Sequence, residues 1–179
     1  MYINNMHMIY KNIVLALFSF CTIQQETIAL TAYEKDIAFQ FFTEKLDTAN
    51  IIMYNHSFGL NTVQALTIAN KIFFNSDVNY AENREQNTDL FIHELTHVWQ
   101  YQHNSPFNSN IKIYTYEINN NLEFKDYGAE QQASLMEDYY NYHNKAGFVS
   151  SSCSDCIQLT DEEINRRMQD LYENMLRID

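Results

Sequence analysis

Two histidines and a glutamate within residues 89–100 have the spacing of a metal hydrolase. His93, Glu94 and His97 form a His-Glu-x-x-His pattern. Residues four apart on an α-helix lie about 40° apart around the axis and one turn apart along it, so both imidazoles can reach one tetrahedral ion. Glu94 projects beside them, where a general base can take a proton from water at the metal. The pattern therefore predicts a zinc site, with His93 and His97 as ligands and Glu94 as the catalytic base.

The prediction requires residues 89–100 to form a helix. A match to the pattern alone is weak evidence, because it also arises by chance, in which case the two histidines would simply lie on the surface. Asn87 or Thr88 can cap the start of the helix, and the Asn-Ser-Pro sequence at 104–106 can end it. Apolar residues recur at helical spacing on a face away from the histidines: Ile92, Leu95 and Trp99. The context therefore favours a metal site.

A catalytic zinc ion usually takes three protein ligands and leaves a fourth position for water. His103 stands at the third-histidine position of a longer zinc pattern, but Gln100 replaces the glycine that turns the chain in that pattern. In a continuous helix, His103 lies about 120° around the axis from the second ligand and points elsewhere. Glu130 is the favoured third ligand, and the alternatives are His103, Glu123 or no third ligand.

Glu130 lies in a segment, residues 129–143, that has a helical pattern and a polar stripe. Ser134, Glu137 and Asn141 all lie within about 40° of Glu130 on a helical wheel. Such a stripe on an otherwise apolar and aromatic helix is expected where a surface faces a metal. For Glu137 and Asn141 alone, however, a solvated face is the simpler interpretation. An oxyanion donor is also required, and the candidates are Tyr127, Tyr140 and His143.

Composition excludes several classes of protein. The 179 residues suit one domain with a sizeable core, and an aromatic content of 15% is not typical of a disordered chain. A net charge of -12 argues against a nucleic-acid partner, whose phosphates require a basic face, and against binding to an anionic membrane. With 3 Gly and 1 Pro, helices should be long and hairpins few.

The elements that must position the site form an α+β pattern. Capping boxes mark a first helix at Thr31 and an amphipathic last helix at Thr160. Strand composition is found at 50–55, at 72–74 and in a hairpin over 111–124. The strand at 72–74 could be the edge with which an extended peptide substrate pairs. We expect a single α+β domain in which a small sheet or hairpins pack on the active-site helix and on a second, ligand-bearing helix.

Residues 1–29 resemble a signal peptide, with Lys11 before an apolar run that is too short for a stable membrane anchor. The alternative is an N-terminal helix preceding a domain that spans residues 30–179. Export to the periplasm or the medium is the favoured location, and the alternative is the cytoplasm before delivery by a secretion system. Cys153 and Cys156 predict a local disulfide in an exported chain and two free thiols in a cytosolic one.

Five blocks of sequence point to a known family: Leu-Thr-Ala-Tyr-Glu at 30–34, Lys-Ile-Phe-Phe at 71–74, the zinc-helix run at 91–102, Tyr-x-Tyr at 114–116 and Asp-Tyr-Gly-Ala-Glu-Gln-Gln-Ala at 126–133. Together they resemble the zinc metallopeptidases found beside Rhs and Vgr proteins of bacterial type VI secretion systems. The resemblance implies a gluzincin-like, zincin-type fold and one Zn²⁺ ion held by His93, His97 and Glu130, with Glu94 as the base. It also implies a peptide or protein substrate and Rhs- or Vgr-type secretion components as partners. Proteins that a type VI secretion system delivers normally lack a signal peptide, so the predicted signal peptide departs from the family.

Three functions follow from these expectations. The first is a zinc-dependent metallopeptidase that hydrolyses peptide bonds with water activated by Glu94. The second is a non-catalytic structural or adaptor protein of a bacterial secretion system, whose fold zinc stabilises. A third, a periplasmic binding protein, rests on the N-terminal segment alone.

Overall fold

Four helices and four strands make up the regular structure of the described chain. The computed structural model describes residues 26–57, 63–105, 107–109, 113–119, 121–145, 147, 149–150 and 152–178. The helices in these residues are α1 (Ala32–Phe42), α2 (Thr88–His103), α3 (Ala129–Asn144) and α4 (Asp161–Leu176). The strands are β1 (Glu26–Ile28), β2 (Ile52–Ser57), β3 (Ala65–Ile68) and β4 (Lys71–Asn75). The predicted α+β class is therefore confirmed.

The four strands form one sheet in the order β1-β2-β4-β3. β4 lies parallel to β2, whereas β1 pairs antiparallel with β2 and β3 pairs antiparallel with β4. The strand predicted at 72–74 is confirmed as the centre of β4, where Ile72, Phe73 and Phe74 are buried. Its predicted role as a peptide-binding edge is wrong, because β4 is paired on both sides and β3 is the edge strand beside α2.

Helices α2 and α3 pack against each other in opposite directions and carry the predicted site. Gln100 near the end of α2 contacts Ala129 at the start of α3, and Asp89 at the start of α2 contacts Lys145 just after α3. The apolar face predicted for α2 is confirmed, because three of its residues are fully buried: Ile92, Leu95 and Trp99. The polar face of α2 is thereby turned toward α3 and β3.

Both predicted capping boxes are present. Thr31 Oγ1 accepts from the backbone N–H of Glu34, and the Glu34 carboxylate accepts from Thr31 N at 2.7 Å. Thr160 and Glu163 make the same pair of bonds at the start of α4. α4 is amphipathic as predicted, and its apolar residues are buried in the core: Ile164, Met168, Leu171 and Met175.

The hairpin predicted over residues 111–124 is wrong for the part that the structure describes. Residues 113–119, which we call the strap, have no strand, and Tyr116 makes only an isolated parallel bridge with Cys153. Side chains take the backbone groups that a hairpin would use, since Gln131 Nε2 donates to Thr115 O at 2.5 Å and Tyr127 OH donates to Glu117 O at 2.7 Å. Residues 111–112 and 120 of the predicted hairpin lie outside the described residues.

The predicted signal peptide falls mostly on residues 1–25, which lie outside the described residues, so export stays a prediction. Glu26–Ile28, the last part of the segment, forms β1 and pairs with β2. Cys153 and Cys156 are joined in a disulfide, the form expected of them in an exported chain. In the described part of the chain, no helix combines the length and apolar character needed to cross a membrane.

Candidate metal centre

Three predicted ligands from two helices converge on one point. His93 Nε2 and His97 Nε2 lie 3.3 and 3.2 Å from the same atom, Oε2 of Glu130. One ligand atom from each of the three residues lies within 4.8 Å of the other two. The separation of four residues on α2 stacks the two imidazoles on one face, and the antiparallel packing of α3 brings the carboxylate across from them. These residues can therefore hold one metal ion.

The alternative third ligands face other partners. His103 Nδ1 donates to Trp99 O at 3.0 Å, and its ring stacks on the Trp99 indole. Glu123 forms a surface ion pair with Lys125 at 2.8 Å. In the described residues, the other group with metal-ligand character is Cys153, Asp155 and Cys156, whose two sulfur atoms form the disulfide. Glu130 is thus the carboxylate that the fold places beside the two histidines.

Gln100 orients His97. His97 Nδ1–H donates to Gln100 Oε1 at 2.9 Å, and this bond leaves the Nε2 lone pair directed toward the metal position. The Gln100 amide is itself held by two donated bonds, to Ala129 O at 3.0 Å and to Gln132 Oε1 at 2.9 Å. Gln100 is therefore part of the site, rather than only the residue that replaces a glycine.

Glu137 orients His93 in the same way that Gln100 orients His97, through a contact with the Nδ1 atom. Its Oε2 lies 3.1 Å from His93 Nδ1, so Nε2 again faces the metal position. The solvated face predicted for Glu137 is wrong, because α3 presents this residue to α2. Asn141 is also buried, and Ser134 is buried at the wall of the cavity described below. Three residues of the polar stripe of α3 therefore line that cavity, namely Glu130, Ser134 and Glu137.

Hydrogen bonds among the three predicted ligands shift their pKa values. Burial lowers the pKa of His93, but its hydrogen bonds to Glu130 and Glu137 outweigh burial and raise that pKa from 6.5 to about 9. Burial raises the pKa of Glu130, but the hydrogen bonds from His93 and His97 outweigh it and hold that pKa well below its usual range. A cluster that stabilises a positive charge between carboxylates is also suited to a divalent cation.

Glu94, the predicted base, is buried beside the ligands and held by the sheet. Its Oε2 accepts from the hydroxyl of Thr67 at 2.6 Å. Thr67 belongs to β3, so the edge strand of the sheet sets the position of the carboxylate. The remaining oxygen, Oε1, is not involved in this bond and is available for a proton.

A cavity of about 880 Å³ opens over the three ligands and Glu94. It is bounded by α2, by α3, by β3 and by Tyr114 of the strap. The Tyr114 ring centroid lies 6.2 Å from that of His93, and half of the Tyr114 side chain is exposed. Burial raises the pKa of the Tyr114 phenol, and the charges of Glu130 and Glu94 raise it further. The phenol therefore keeps its proton and can donate it in a hydrogen bond.

The predicted oxyanion donors lie elsewhere in the described structure. Tyr127 OH donates to the strap at Glu117 O. Tyr140 packs edge-on against Phe41, and His143 packs against Tyr139. None of the three lines the cavity. The strand composition of the strap does not identify Tyr114 as a site residue. The signal for Tyr114 is the Tyr-x-Tyr block at 114–116, which is one of the blocks that carry the family resemblance.

The strap is hydrogen-bonded to α3 and to the loop that contains Cys153 and Cys156, which we call the disulfide loop. Tyr116 OH donates to the buried carboxylate of Asp138 at 2.5 Å, and Ser150 N donates to the same carboxylate at 2.7 Å. The Tyr116 backbone accepts from Ser154 N and donates to Ser152 O, each at 2.8 Å, beside the cysteine pair. These bonds fix Tyr116, and Tyr114 two residues earlier therefore has a defined position over the site.

Sequence comparison relates the chain to secretion proteins. A family model described as the eCIS core domain matches residues 59–105, which contain β3, β4 and α2. The type VI secretion system spike protein VgrG2b of Pseudomonas aeruginosa is 33% identical over 82 residues, which are 37% of this chain and 8% of the spike protein. The chain therefore spans a small part of that relative's length.

Structural comparison extends the similarity to most of the chain. The effector domain of Pseudomonas aeruginosa VgrG2b matches with a TM-score of 0.61 over 89% of this chain and 93% of that domain, at 21% sequence identity. At this identity the match establishes the fold. The chain thus has the α+β fold of the VgrG2b effector domain and shares part of its sequence with a Vgr-type spike protein.

Proposed function

We propose that the protein is a zinc-dependent peptidase of zincin type that works with Vgr-type secretion components. The observation that carries the proposal is the convergence of His93 Nε2, His97 Nε2 and Glu130 Oε2, with each Nδ1 engaged by a protein acceptor. Glu94 lies in the same cavity as these ligands. A structural site would not require an acid–base residue beside an open cavity.

The donor set fits zinc. Two imidazole nitrogens and one carboxylate oxygen are the three-ligand set of many catalytic zinc sites, which keep a fourth position for water or substrate. The hydrogen bonds of Gln100 and Glu137 to the ligands supply the outer support that such sites require. A zinc ion held there would polarise the scissile carbonyl and lower the pKa of water. These roles are supported by the geometry of the donors.

Glu94 would carry the proton in this reaction. Its carboxylate takes a proton from the attacking water and delivers it to the leaving amine. The hydroxyl of Thr67 donates to one carboxylate oxygen at 2.6 Å and so holds the carboxylate in position, and Glu94 lines the cavity. Tyr114 would donate to the carbonyl oxygen as that oxygen gains negative charge, a role that a neutral phenol in this position can fill.

The edge strand β3 would bind the backbone of the substrate. Asn75 N donates to Gln64 O at 2.8 Å, so Gln64 is hydrogen-bonded to the neighbouring strand. Hydrogen-bonded and non-hydrogen-bonded pairs alternate in an antiparallel ladder, and the N–H and C=O groups of Ala65 and Thr67 therefore point away from β4. An extended peptide could pair with these groups at the edge of the sheet.

Metal analysis and activity together test the proposal. Purified protein should contain about one zinc ion per chain and should cleave a denatured protein substrate. Glu94→Gln should keep the zinc and lose cleavage, whereas His93→Ala and Glu130→Ala should lose the zinc. His103→Ala is the matched control and should keep both. Full cleavage by Glu94→Gln would contradict the proposal, and loss of zinc from the His103 variant alone would overturn the ligand assignment.

A non-catalytic role as a zinc-stabilised adaptor is the second candidate. It is favoured by the origin of the ligands on two different helices, since a metal ion would join α2 to α3 and stabilise their packing. In that case Glu94→Gln would leave zinc content and binding to the secretion component unchanged. His93→Ala would instead lower the melting temperature and abolish binding to the secretion component.

Association with Vgr-type components rests on the similarity to the spike protein. It can be tested by co-expressing the chain with a VgrG spike protein and measuring their co-elution on size exclusion. Separate elution at micromolar concentration would argue against a stable complex.

A further inference from the structure

The cavity beside the metal centre has two chemically different ends. Asp89 and Tyr101 both line it, and their positions on α2 place them about 18 Å apart along the helix axis. The ligands His93 and His97 lie between them. A peptide that crosses the cavity would therefore meet different side chains on the two sides of its scissile bond.

The end that contains Asp89 is acidic. Glu137 lies at this end because it faces His93 from the later part of α3. Lys145 Nζ pairs with Asp89 at 2.7 Å, but it does not line the cavity. Lys and Arg are absent from the described lining residues, and the charged lining residues at this end are Asp89 and Glu137. This end therefore favours a cationic side chain.

The end that contains Tyr101 is apolar and aromatic. Phe107 lies at this end because the chain turns back after α2, where Ser105 N donates to Gln100 O at 2.9 Å. Tyr101 and Phe107 are 56% and 43% exposed, and both line the cavity. A large apolar side chain from a ligand would cover them and remove that surface from water.

β3 gives the substrate a direction. Thr67 contacts Glu94, and Asn70, two residues after β3, accepts from Gln102 Nε2 at 2.9 Å. β3 therefore runs in the same direction as α2, from the acidic end to the aromatic end. Antiparallel pairing is the more stable arrangement per residue, so a peptide bound to β3 would run the opposite way. Its N-terminal part would lie at the aromatic end.

We infer that the cavity selects peptides with an aromatic or large apolar residue N-terminal to the scissile bond and a Lys or Arg residue C-terminal to it. The inference rests on the peptidase function proposed above. Tyr101 and Phe107 set the first preference, and Asp89 sets the second.

Three peptides with blocked termini test the inference. The forward peptide has Phe and Leu in its N-terminal half and two Lys residues in its C-terminal half. The reversed peptide exchanges the halves, and the third replaces Lys by Glu. Binding to zinc-loaded Glu94→Gln protein is measured by fluorescence anisotropy, and cleavage is measured with the wild type. The forward peptide should bind about tenfold more tightly than the reversed one, and the advantage should shrink at high salt.

Charge variants locate the preference. Asp89→Asn should reduce the preference for the forward peptide over the Glu peptide, whereas Lys145→Met should increase it, because the cation that pairs with Asp89 is removed. Asp36→Asn is the matched control, since Asp36 is exposed on α1 outside the cavity and its substitution changes the net charge equally. It should leave the preference unchanged.

The outcomes separate this inference from the proposed function. Equal binding of forward and reversed peptides, tighter binding of the reversed one, or an equal effect of the Asp36 and Asp89 variants would overturn it. Cleavage of all three peptides at equal rates would also overturn it while supporting the peptidase. Forward-selective binding without any cleavage by the wild type would support the binding preference and refute the peptidase.

Discussion

Substitution of Gln100 by Met tests whether the support of the histidine ligands has been assigned correctly. Met has a similar length but can neither accept from His97 Nδ1–H nor donate to Ala129 O. Loss of an outer hydrogen bond to a metal-bound histidine typically lowers metal affinity about 10–100-fold, which corresponds to about 1.4–2.7 kcal/mol. Loss of the buried amide should also cost about 1–3 kcal/mol of unfolding free energy in the metal-free protein.

Gln102→Met is the matched control for this experiment. Gln102 lies on the same helix and also makes three hydrogen bonds through its side chain, but to Asp47 and Asn70 rather than to a ligand. Zinc affinity is measured by competition with a chelating dye, and stability is measured by thermal unfolding with and without metal. The zinc dissociation constant should rise for the Gln100 variant and stay within about twofold for the Gln102 variant.

Equal zinc affinity of the Gln100 variant and the wild type would refute the reasoning. It would mean that His97 keeps its tautomer and orientation without the Gln100 acceptor. An equal loss of affinity in both variants would show instead that any damage to α2 weakens the site, and the specific role of Gln100 would then be withdrawn.

Three further predictions concern protonation, the strap and the disulfide. Since the pKa of His93 in the folded metal-free protein is about 9 against 6.5 for the unfolded reference, its contribution to stability is fully present below pH 6.5 and is lost as the pH rises through 9. Zinc competes with the same proton, so zinc affinity measured by titration should rise with pH over this interval, and a pH-independent affinity would contradict the assignment. Tyr114→Phe should lower kcat about 10–100-fold with a smaller change in KM, whereas Tyr54→Phe, a control on β2 outside the cavity, should leave kcat near that of the wild type. Replacing Cys153 and Cys156 by Ser should lower kcat/KM but not zinc content, because the disulfide loop holds the strap rather than the ligands; loss of zinc in that variant would show that the loop supports the ligands as well.

Local spacing accounts for the part of the site that could be predicted. The helical separation of His93, Glu94 and His97 fixes their common face without any knowledge of the rest of the fold. Ligand counting and the polar stripe then favoured Glu130, and the structure brings that residue to the two histidines. These arguments work because each depends on the geometry of a single helix.

The features that were missed depend on how elements are arranged in space. The sequence shows only that Gln100 replaces a turn-forming glycine. Its role in orienting His97 is not predicted, because its partners Ala129 and Gln132 are distant in sequence. Glu137 was expected to face solvent for the same reason. The strap has strand composition, but its backbone groups are bound by side chains of α3 and of the disulfide loop. Which neighbour satisfies a backbone group is not encoded in the local pattern.

The local sequence pattern also does not predict the order of the strands in the sheet. β4 has a continuous apolar run and was correctly identified as buried, yet a buried strand can lie at the centre or near the edge of a sheet. The pairing of β2 with β4, which leaves β3 outside, joins segments that are not consecutive in the chain. The edge strand beside Glu94 therefore became visible only in the fold.

The distribution of the proposed ligands over α2 and α3 has a consequence for how the protein would acquire a metal ion during synthesis. Because chains emerge from the ribosome N-terminus first, α2 is made before α3, and its two histidines are exposed with an incomplete ligand set. Two imidazoles alone bind copper or nickel at least as well as zinc. The complete set of three donors exists only after α3 has docked and has added the carboxylate of Glu130. Helix docking is therefore the step that would complete the metal site.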